Sequence, residues 1–264
     1  MPEPGIEEML SEAAGFGACG RCPYLTGGSP ELCFRCANRT IEPLADWGRR
    51  CKVCDQTYAP GEVGCKNPVC SMSRRWFGWN YAVAIRSGML QRVIDAYKLS
   101  DAMSDSRGWA AIFGRILVGF LDANASAFEG IDLIIASPTY TGPGAHRRWD
   151  HIRDILVAAN TEQGSPARWP FGVAEPPVII KTAETERMRQ MKYQQRRVNA
   201  EGPLREALQV PDPTVTAGMR LIVVDDVFTD GLTLREVARA LVEDGGAAEV
   251  NGVTLARQPF GRNG

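Results

Sequence analysis

From Met89 onward, short apolar runs alternate with stretches in which apolar residues recur every three or four positions. Leu90, Val93, Ile94 and Tyr97 give Met89 to Lys98 a helical spacing, and Ala110 to Leu121 reads as a second apolar helix. Ile131 to Ala136 is a nearly continuous apolar run ending at Ser137-Pro138, as a strand buried on both faces would be. Trp149 to Ala159 reads as a helix, and Val178 to Ile180, after Pro176-Pro177, as a short strand. Met219 to Val224 is the clearest strand. Leu232 to Asp244 is the clearest helix, with Leu234, Val237, Ala238, Leu241 and Val242 on one face and Gly245-Gly246 as its stop. Val250 to Leu255 closes the series. Strands alternating with helices predict an α/β fold, a mainly parallel sheet with flanking helices.

Ahead of this pattern the chain reads differently. All eight cysteines lie between Cys19 and Cys70, in four pairs: Cys19/Cys22, Cys33/Cys36, Cys51/Cys54 and Cys65/Cys70. The first three are C-x2-C, and each such knuckle puts two sulfurs on one side of a tight turn. Ten residues separate Cys22 from Cys33, and ten separate Cys54 from Cys65. That spacing predicts two successive structural Zn²⁺ sites, one from Cys19, Cys22, Cys33 and Cys36, the other from Cys51, Cys54, Cys65 and Cys70. A cross-braced pairing, in which alternate knuckles share a metal, is the alternative. Four thiolates leave no open position for water or substrate, so the zinc is expected to stabilise the segment rather than catalyse. The expected organisation is a tail over 1–18, a Cys-rich zinc-binding module over 19–75 and an α/β domain over 76–264. Trp76, Phe77 and Trp79 are expected to dock the module onto the domain.

Composition narrows the function classes. A net charge of −1 over 264 residues gives no bulk reason to bind nucleic acid, although residues 19–75 carry nine Lys or Arg against five Asp or Glu. No apolar run is long enough to span a membrane, and the acidic start (Glu3, Glu7, Glu8) is unlike a secretory signal, so the expected location is cytoplasmic. Residues 181–205 hold seven Lys or Arg against three Glu and read as a mobile basic segment or exposed helix. Among them Arg187, Arg189, Lys192, Arg196 and Arg197 could clamp pyrophosphate or DNA, or form a solvated face. His146 and His151, the two histidines, could contact a ligand with Arg147, Arg148 and Trp149 between them, or be merely solvated, which is the commoner case.

The candidate chemistry lies in Leu221–Thr233. An apolar strand delivers Asp225 and Asp226 at its carboxyl end, where open α/β sheets bind ligands. Thr229, Gly231, Leu232 and Thr233 then open a helix, whose free N–H groups and dipole favour an anion. The order predicts a phosphate in the loop and a hydroxylated ring beside the acids. A bare helix cap by Asp226 or Thr229 is the alternative.

This segment resembles the ribose-phosphate signature of type I phosphoribosyltransferases, and with the cysteine knuckles in front the chain is similar to the ComF family (GntX-like, competence-related) from about Cys19 to Arg257. Arg92 to Lys98, Ile134 to Pro138, Arg147 to His151 and Gln195 to Asn199 stand where that family has, in turn, a helix ending in an aromatic and a lysine, a strand entering the pyrophosphate loop, an Arg-Gly-aromatic-Asn-Gln run and a basic flexible segment. The resemblance implies a phosphoribosyltransferase fold binding phosphoribosyl pyrophosphate (PRPP), with Mg²⁺ near Asp225 and Asp226. These acids would face the ribose hydroxyls as the catalytic pair. Thr229, Gly231, Leu232 and Thr233 would hold the 5′-phosphate, and Lys98, Ser137, Pro138 and Thr139 would face pyrophosphate. It also implies an alternative, a non-catalytic protein of DNA uptake or processing whose zinc module contacts single-stranded DNA or a protein partner such as a helicase. An amidophosphoribosyltransferase would need a catalytic cysteine at its mature N-terminus; residue 2 is proline, so that activity is not expected. Two places depart from the family pattern. Asp230 stands where the loop usually has a second threonine, and a carboxylate about 5 Å from a phosphate costs on the order of 1–3 kcal/mol unless it turns outward. Thr141 to His146 is also less basic than in relatives.

Overall fold

In the computed structural model the described residues are 49–58, 61–86, 88–99, 103–186 and 191–260. Cys19, Cys22, Cys33 and Cys36 lie outside them, and with them the expected first zinc site and the tail.

The strands β1 (Asn80–Ile85), β2 (Leu133–Ala136), β5 (Arg220–Phe228) and β6 (Glu249–Arg257) form one sheet in the order β1-β6-β5-β2, and every neighbouring pair is parallel. Parallel neighbours need crossovers, which helices supply: α1 (Gly88–Leu99) and α2 (Met103–Ala123) lead from β1 to β2, α3 (His151–Glu162) follows β2, and α5 (Leu232–Glu243) joins β5 to β6. The short helix α4 (Tyr193–Asn199) runs into a π turn at Ala200–Leu204.

Sheet residues alternate between two cores. Ile134, Ile222, Val224, Val253 and Leu255 pack with Leu90, Ile94, Trp109, Phe113 and Leu156 of α1 to α3. Ile135, Leu221, Val223 and Val250 pack with Leu234, Val237 and Leu241 of α5, and with Cys51, Cys54 and Val69. Both faces are therefore covered, which is why these strands read as unbroken apolar runs. The helices α2 and α3 approach closely at Gly114, where a Cβ would lie 2.8 Å from the Ala159 nitrogen. Asp150 caps α3, accepting the Arg153 N–H at 3.1 Å.

The architecture is the expected α/β sheet with a distinct Cys-rich cluster, and three elements differ from the sequence reading. Strand β1 follows directly on the aromatics Trp76, Phe77 and Trp79, in a stretch to which the sequence reading assigns no strand; Phe77 packs edge-on to Phe228, while Trp79 stacks on Tyr81 at 4.2 Å. The strand expected at Val178–Ile180 is the two-residue β3 (Ile180–Lys181), which pairs antiparallel with β4 (Leu208–Gln209) outside the main sheet. Pro176 and Pro177 supply no N–H for a longer ladder. Strand β5 extends past Val224 to Phe228, because Val227 and Phe228 pair with Ala256 and Arg257.

Candidate functional site

A cavity of about 590 Å³ opens at the carboxyl ends of the strands, and Asp225, Asp226, Thr229 to Gly231 and Thr233 line it together with Lys98, Ser137 to Thr139, Arg147, His151, Lys181 and Arg196. The two aspartates differ sharply. Asp226 is buried, and its Oδ2 meets Lys98 Nζ at 2.5 Å and His151 Nε2 at 2.7 Å. Burial opposes its charge, yet the Lys98 ammonium and the His151 hydrogen bond hold it well below the usual carboxylate range. Asp225 is half-buried and accepts the Asp226 N–H at 2.8 Å. Burial and the neighbouring Asp226 charge push it up to about 7. Among the described residues no cation pairs with Asp225, so one acid is neutralised internally and the other is left for a ligand or a cation.

Because Asp225 is raised, the folded chain holds a proton between roughly pH 4 and 7 that the unfolded chain releases. Its contribution to stability is therefore present below the unfolded value and lost as pH rises toward 7. Urea unfolding at pH 5 and pH 8 checks this: the stability of wild type relative to Asp225→Asn should be lower at pH 8. Equal differences at the two pH values would remove the assignment.

Lys98, Ser137, Pro138 and Thr139 reach the cavity wall, and Lys98 is tied to Asp226 there. His151, expected in solvent, is buried; its side chain reaches Asp226, its carbonyl accepts the Tyr97 hydroxyl at 2.6 Å, and burial lowers its pKa. His146 is exposed as expected. The signal for His151 was its place directly after the cap Asp150, in the first turn of a helix that begins at the ligand end of the sheet. Arg147 donates to the Lys98 carbonyl at 3.2 Å and has no carboxylate partner among the described residues. The half-buried Lys181 donates to Thr185 Oγ1 at 2.8 Å.

The loop after β5 depends on glycine. Gly231 has φ +82°, and a Cβ there would fall 2.4 Å from the Phe228 ring and 3.1 Å from Val69 Cγ1. Gly231→Ala is expected to cost about 1–3 kcal/mol through the left-handed backbone and the clash; a change below about 0.5 kcal/mol in urea unfolding would contradict this geometry. Asp230 does not turn outward. It is 5% exposed, its Oδ1 accepts the Leu232 N–H at 3.1 Å, and its Oδ2 lies 3.0 Å from Arg196 Nε as an ion pair without hydrogen-bond alignment. The chain's own carboxylate thus already occupies one N–H of the helix start.

Below the loop, the sulfur atoms of Cys51, Cys54, Cys65 and Cys70 all lie within 4.8 Å of one another. Cys51–Cys70 and Cys54–Cys65 are 3.7 and 3.6 Å apart. A tetrahedral ion bonded at the zinc–sulfur length of about 2.3 Å sets its sulfurs about 3.8 Å apart, so this quartet fits such an ion. Backbone N–H groups of Val53 and Asn67 point at Cys51 and Cys65 sulfur at 3.4 Å each, the bonding of a knuckle turn. Hydrogen bonds from Cys54, Cys65 and Cys70 hold Cys51 well below the thiol range, and Cys54 falls to about 7, while Cys65 and Cys70 are raised by sharing with Cys51 and Cys54. Four sulfurs so close together cannot all ionise without a cation among them. Asp55, with φ +60°, anchors the knuckle to β1: its carboxylate accepts Arg50 Nη1 and the Ala82 N–H, both at 2.9 Å.

Residues 181–263 match the phosphoribosyl transferase domain model, which spans β3 through β6 and includes the Leu221–Thr233 segment. The chain carries a C-terminal phosphoribosyltransferase-like domain, with a four-cysteine cluster capable of holding a metal packed against it. No curated protein matches the chain. No helix among the described residues is long and apolar enough to cross a membrane.

Proposed function

We propose that the chain binds PRPP, or a closely related ribose-phosphate, in the cavity at the end of β5 and transfers its phosphoribosyl group to a small acceptor. The observation that carries this reading is the convergence, in one cavity, of a glycine-opened helix start with Asp225 and Arg147, neither of which has an ion-pair partner among the described residues. Asp225 would face the ribose hydroxyls, and Asp226 would act through its bonds to Lys98 and His151. Thr229, Gly231, Leu232 and Thr233 would hold the 5′-phosphate. Ser137 to Thr139 would face pyrophosphate, and Arg147 would join Lys98 as its cationic wall. Asp225, a carboxylate with no ion-pair partner among the described residues, suits a site for Mg²⁺, which when bound would neutralise pyrophosphate charge. In the transfer, the bond from C1 of ribose to the pyrophosphate oxygen breaks with its electron pair leaving on pyrophosphate. The acceptor's lone pair then closes on C1, and the acceptor releases its proton. The protein's part is to position the groups and stabilise the leaving charge, so no nucleophilic side chain is needed. In the cysteine cluster the metal would be structural Zn²⁺.

A second reading is favoured by Asp230. Its carboxylate already takes the Leu232 N–H and stands against Arg196. A phosphate entering the loop must displace it, which suits a ComF-like protein that binds ligand without turnover, in DNA uptake or processing, with the Cys-rich module contacting single-stranded DNA or a protein partner. Calorimetry with PRPP, with and without Mg²⁺, separates the cases. Saturable heat followed by pyrophosphate release on adding acceptors supports the transferase; heat without release supports the second reading. No heat at millimolar PRPP rejects both.

A further inference from the structure

In the transferase reading the cysteine cluster only stabilises its own segment, yet its contacts lead directly to the ligand loop. Arg257, the last residue of β6, is 1% exposed and bridges the two. Its Nη1 donates to the carbonyls of Phe228 and Thr229 at 2.9 and 2.8 Å. Its Nε donates to the Cys54 carbonyl at 2.7 Å, and its Nη2 to Cys54 sulfur at 3.4 Å and to Gln56 Oε1 at 2.9 Å. The guanidinium also lies over the Phe228 ring, 4.9 Å from its centre. A second bridge comes from the other knuckle. Asn67, also 1% exposed, gives its N–H to Cys65 sulfur at 3.4 Å and its Nδ2 to the Thr229 carbonyl at 3.2 Å. Val69, two residues further, lies with its Cγ1 3.1 Å from where a Cβ on Gly231 would stand.

The Thr229 carbonyl is thus held from both knuckles at once, each time by a side chain or residue that also bonds a sulfur ligand. A planar guanidinium fixes the relative positions of the groups it bridges, because its donors form one rigid fork. A metal that locks Cys54 and Cys65 into one tetrahedron would set the distance between the two donors of Thr229. With the sulfurs unlinked, those donors are free to separate, and the turn at Gly231 loses its support.

We propose that the Cys51, Cys54, Cys65 and Cys70 cluster is the template of the ligand loop, with Arg257 and Asn67 as positioning residues, so that metal in the cluster raises the cavity's affinity for a ribose-phosphate. The affinity part rests on the ribose-phosphate reading; the template part stands apart from it. Coupling of this kind is reciprocal, so the ligand must also tighten the metal.

The test uses the full zinc-loaded chain and the variants Arg257→Gln, Arg257→Lys and Asn67→Ala, with metal content measured on each. The first readout is hydrogen exchange of the amides at 228–233, which needs no ligand. The expected result is exchange about tenfold faster in Arg257→Gln with the metal retained, within the range of ordinary site-to-site coupling, and a smaller change in Arg257→Lys. The second readout is PRPP affinity, expected to fall by about tenfold in Arg257→Gln, with PRPP slowing zinc loss to a chelator in wild type. Should Arg257→Gln lose its metal or fail to fold, Asn67→Ala, which is not a metal ligand, decides by the same readouts. Wild-type exchange at 228–233 in metal-retaining variants overturns the template. Wild-type protein that binds no PRPP overturns the ribose-phosphate reading instead, and leaves the exchange result to decide the template by itself.

Discussion

Asp226→Asn is expected to lower the stability of the chain by about 3 kcal/mol, the low end for breaking a buried ion pair, because Lys98 keeps some contact with solvent. The loss comes less from the missing attraction than from what remains: an ammonium facing the cavity with its counter-charge gone, and a buried His151 whose strongest acceptor has become a neutral amide. The same change removes the one charge that raises Asp225, leaving burial alone to push it up, so Asp225 should titrate lower than in wild type. Urea unfolding of Asp226→Asn and of the double variant Lys98→Met, Asp226→Asn checks the account. The double variant should recover part of the loss, since no charge is then stranded. A single variant as stable as wild type, or a double variant worse than additive, would mean that Asp226 is not the hub of this cluster.

The second large effect is expected from Cys54→Ala. Cys54 is fully buried, in contact with Cys65 and Arg257, and belongs to the core that covers one face of the sheet. Structural zinc contributes about 10–16 kcal/mol in small domains, which is as large as the whole stability of an ordinary protein, about 5–15 kcal/mol. A variant that cannot close the tetrahedron should therefore lose one metal per chain relative to wild type and expose the segment around residues 49–77 to protease. Because Cys54, Val69 and Phe77 pack with Val223, Phe228 and Leu232, the loosening should reach the main sheet and lower the thermal midpoint. Unchanged metal content together with an unchanged midpoint would contradict the cluster.

Much of this fold was legible because its strongest signals are local. Strand β5 announces itself by Leu221 to Val224, buried to 1% exposure or less, and α5 by the face through Leu234, Val237 and Leu241. The second cysteine quartet is the sequential one of the two pairings that the spacing allowed. What escaped the sequence depends on partners far along the chain. Strand β1 is specified by its pairing with β6, where Asn80 lies opposite Gly252, and by the buried Asn80–Thr254 hydrogen bond at 3.1 Å. The Asp226 cluster draws Lys98 from α1 and His151 from α3, so only the folded sheet brings them to one atom. Asp230 was legible as an anomaly, but its resolution was not: Arg196, read as a clamp for pyrophosphate or DNA or as part of a solvated face, is the cation beside it.

The proposed ligand of this cavity is a ribose-phosphate held at the end of β5. The most direct measurement is a crystal structure of the chain grown with PRPP and Mg²⁺. The expected density has the ribose hydroxyls against Asp225, the 5′-phosphate at the amides of Gly231 to Thr233, and the Asp230 carboxylate displaced from the Leu232 N–H. An empty cavity at millimolar PRPP, or ligand bound with its phosphate away from Gly231 to Thr233, would contradict it.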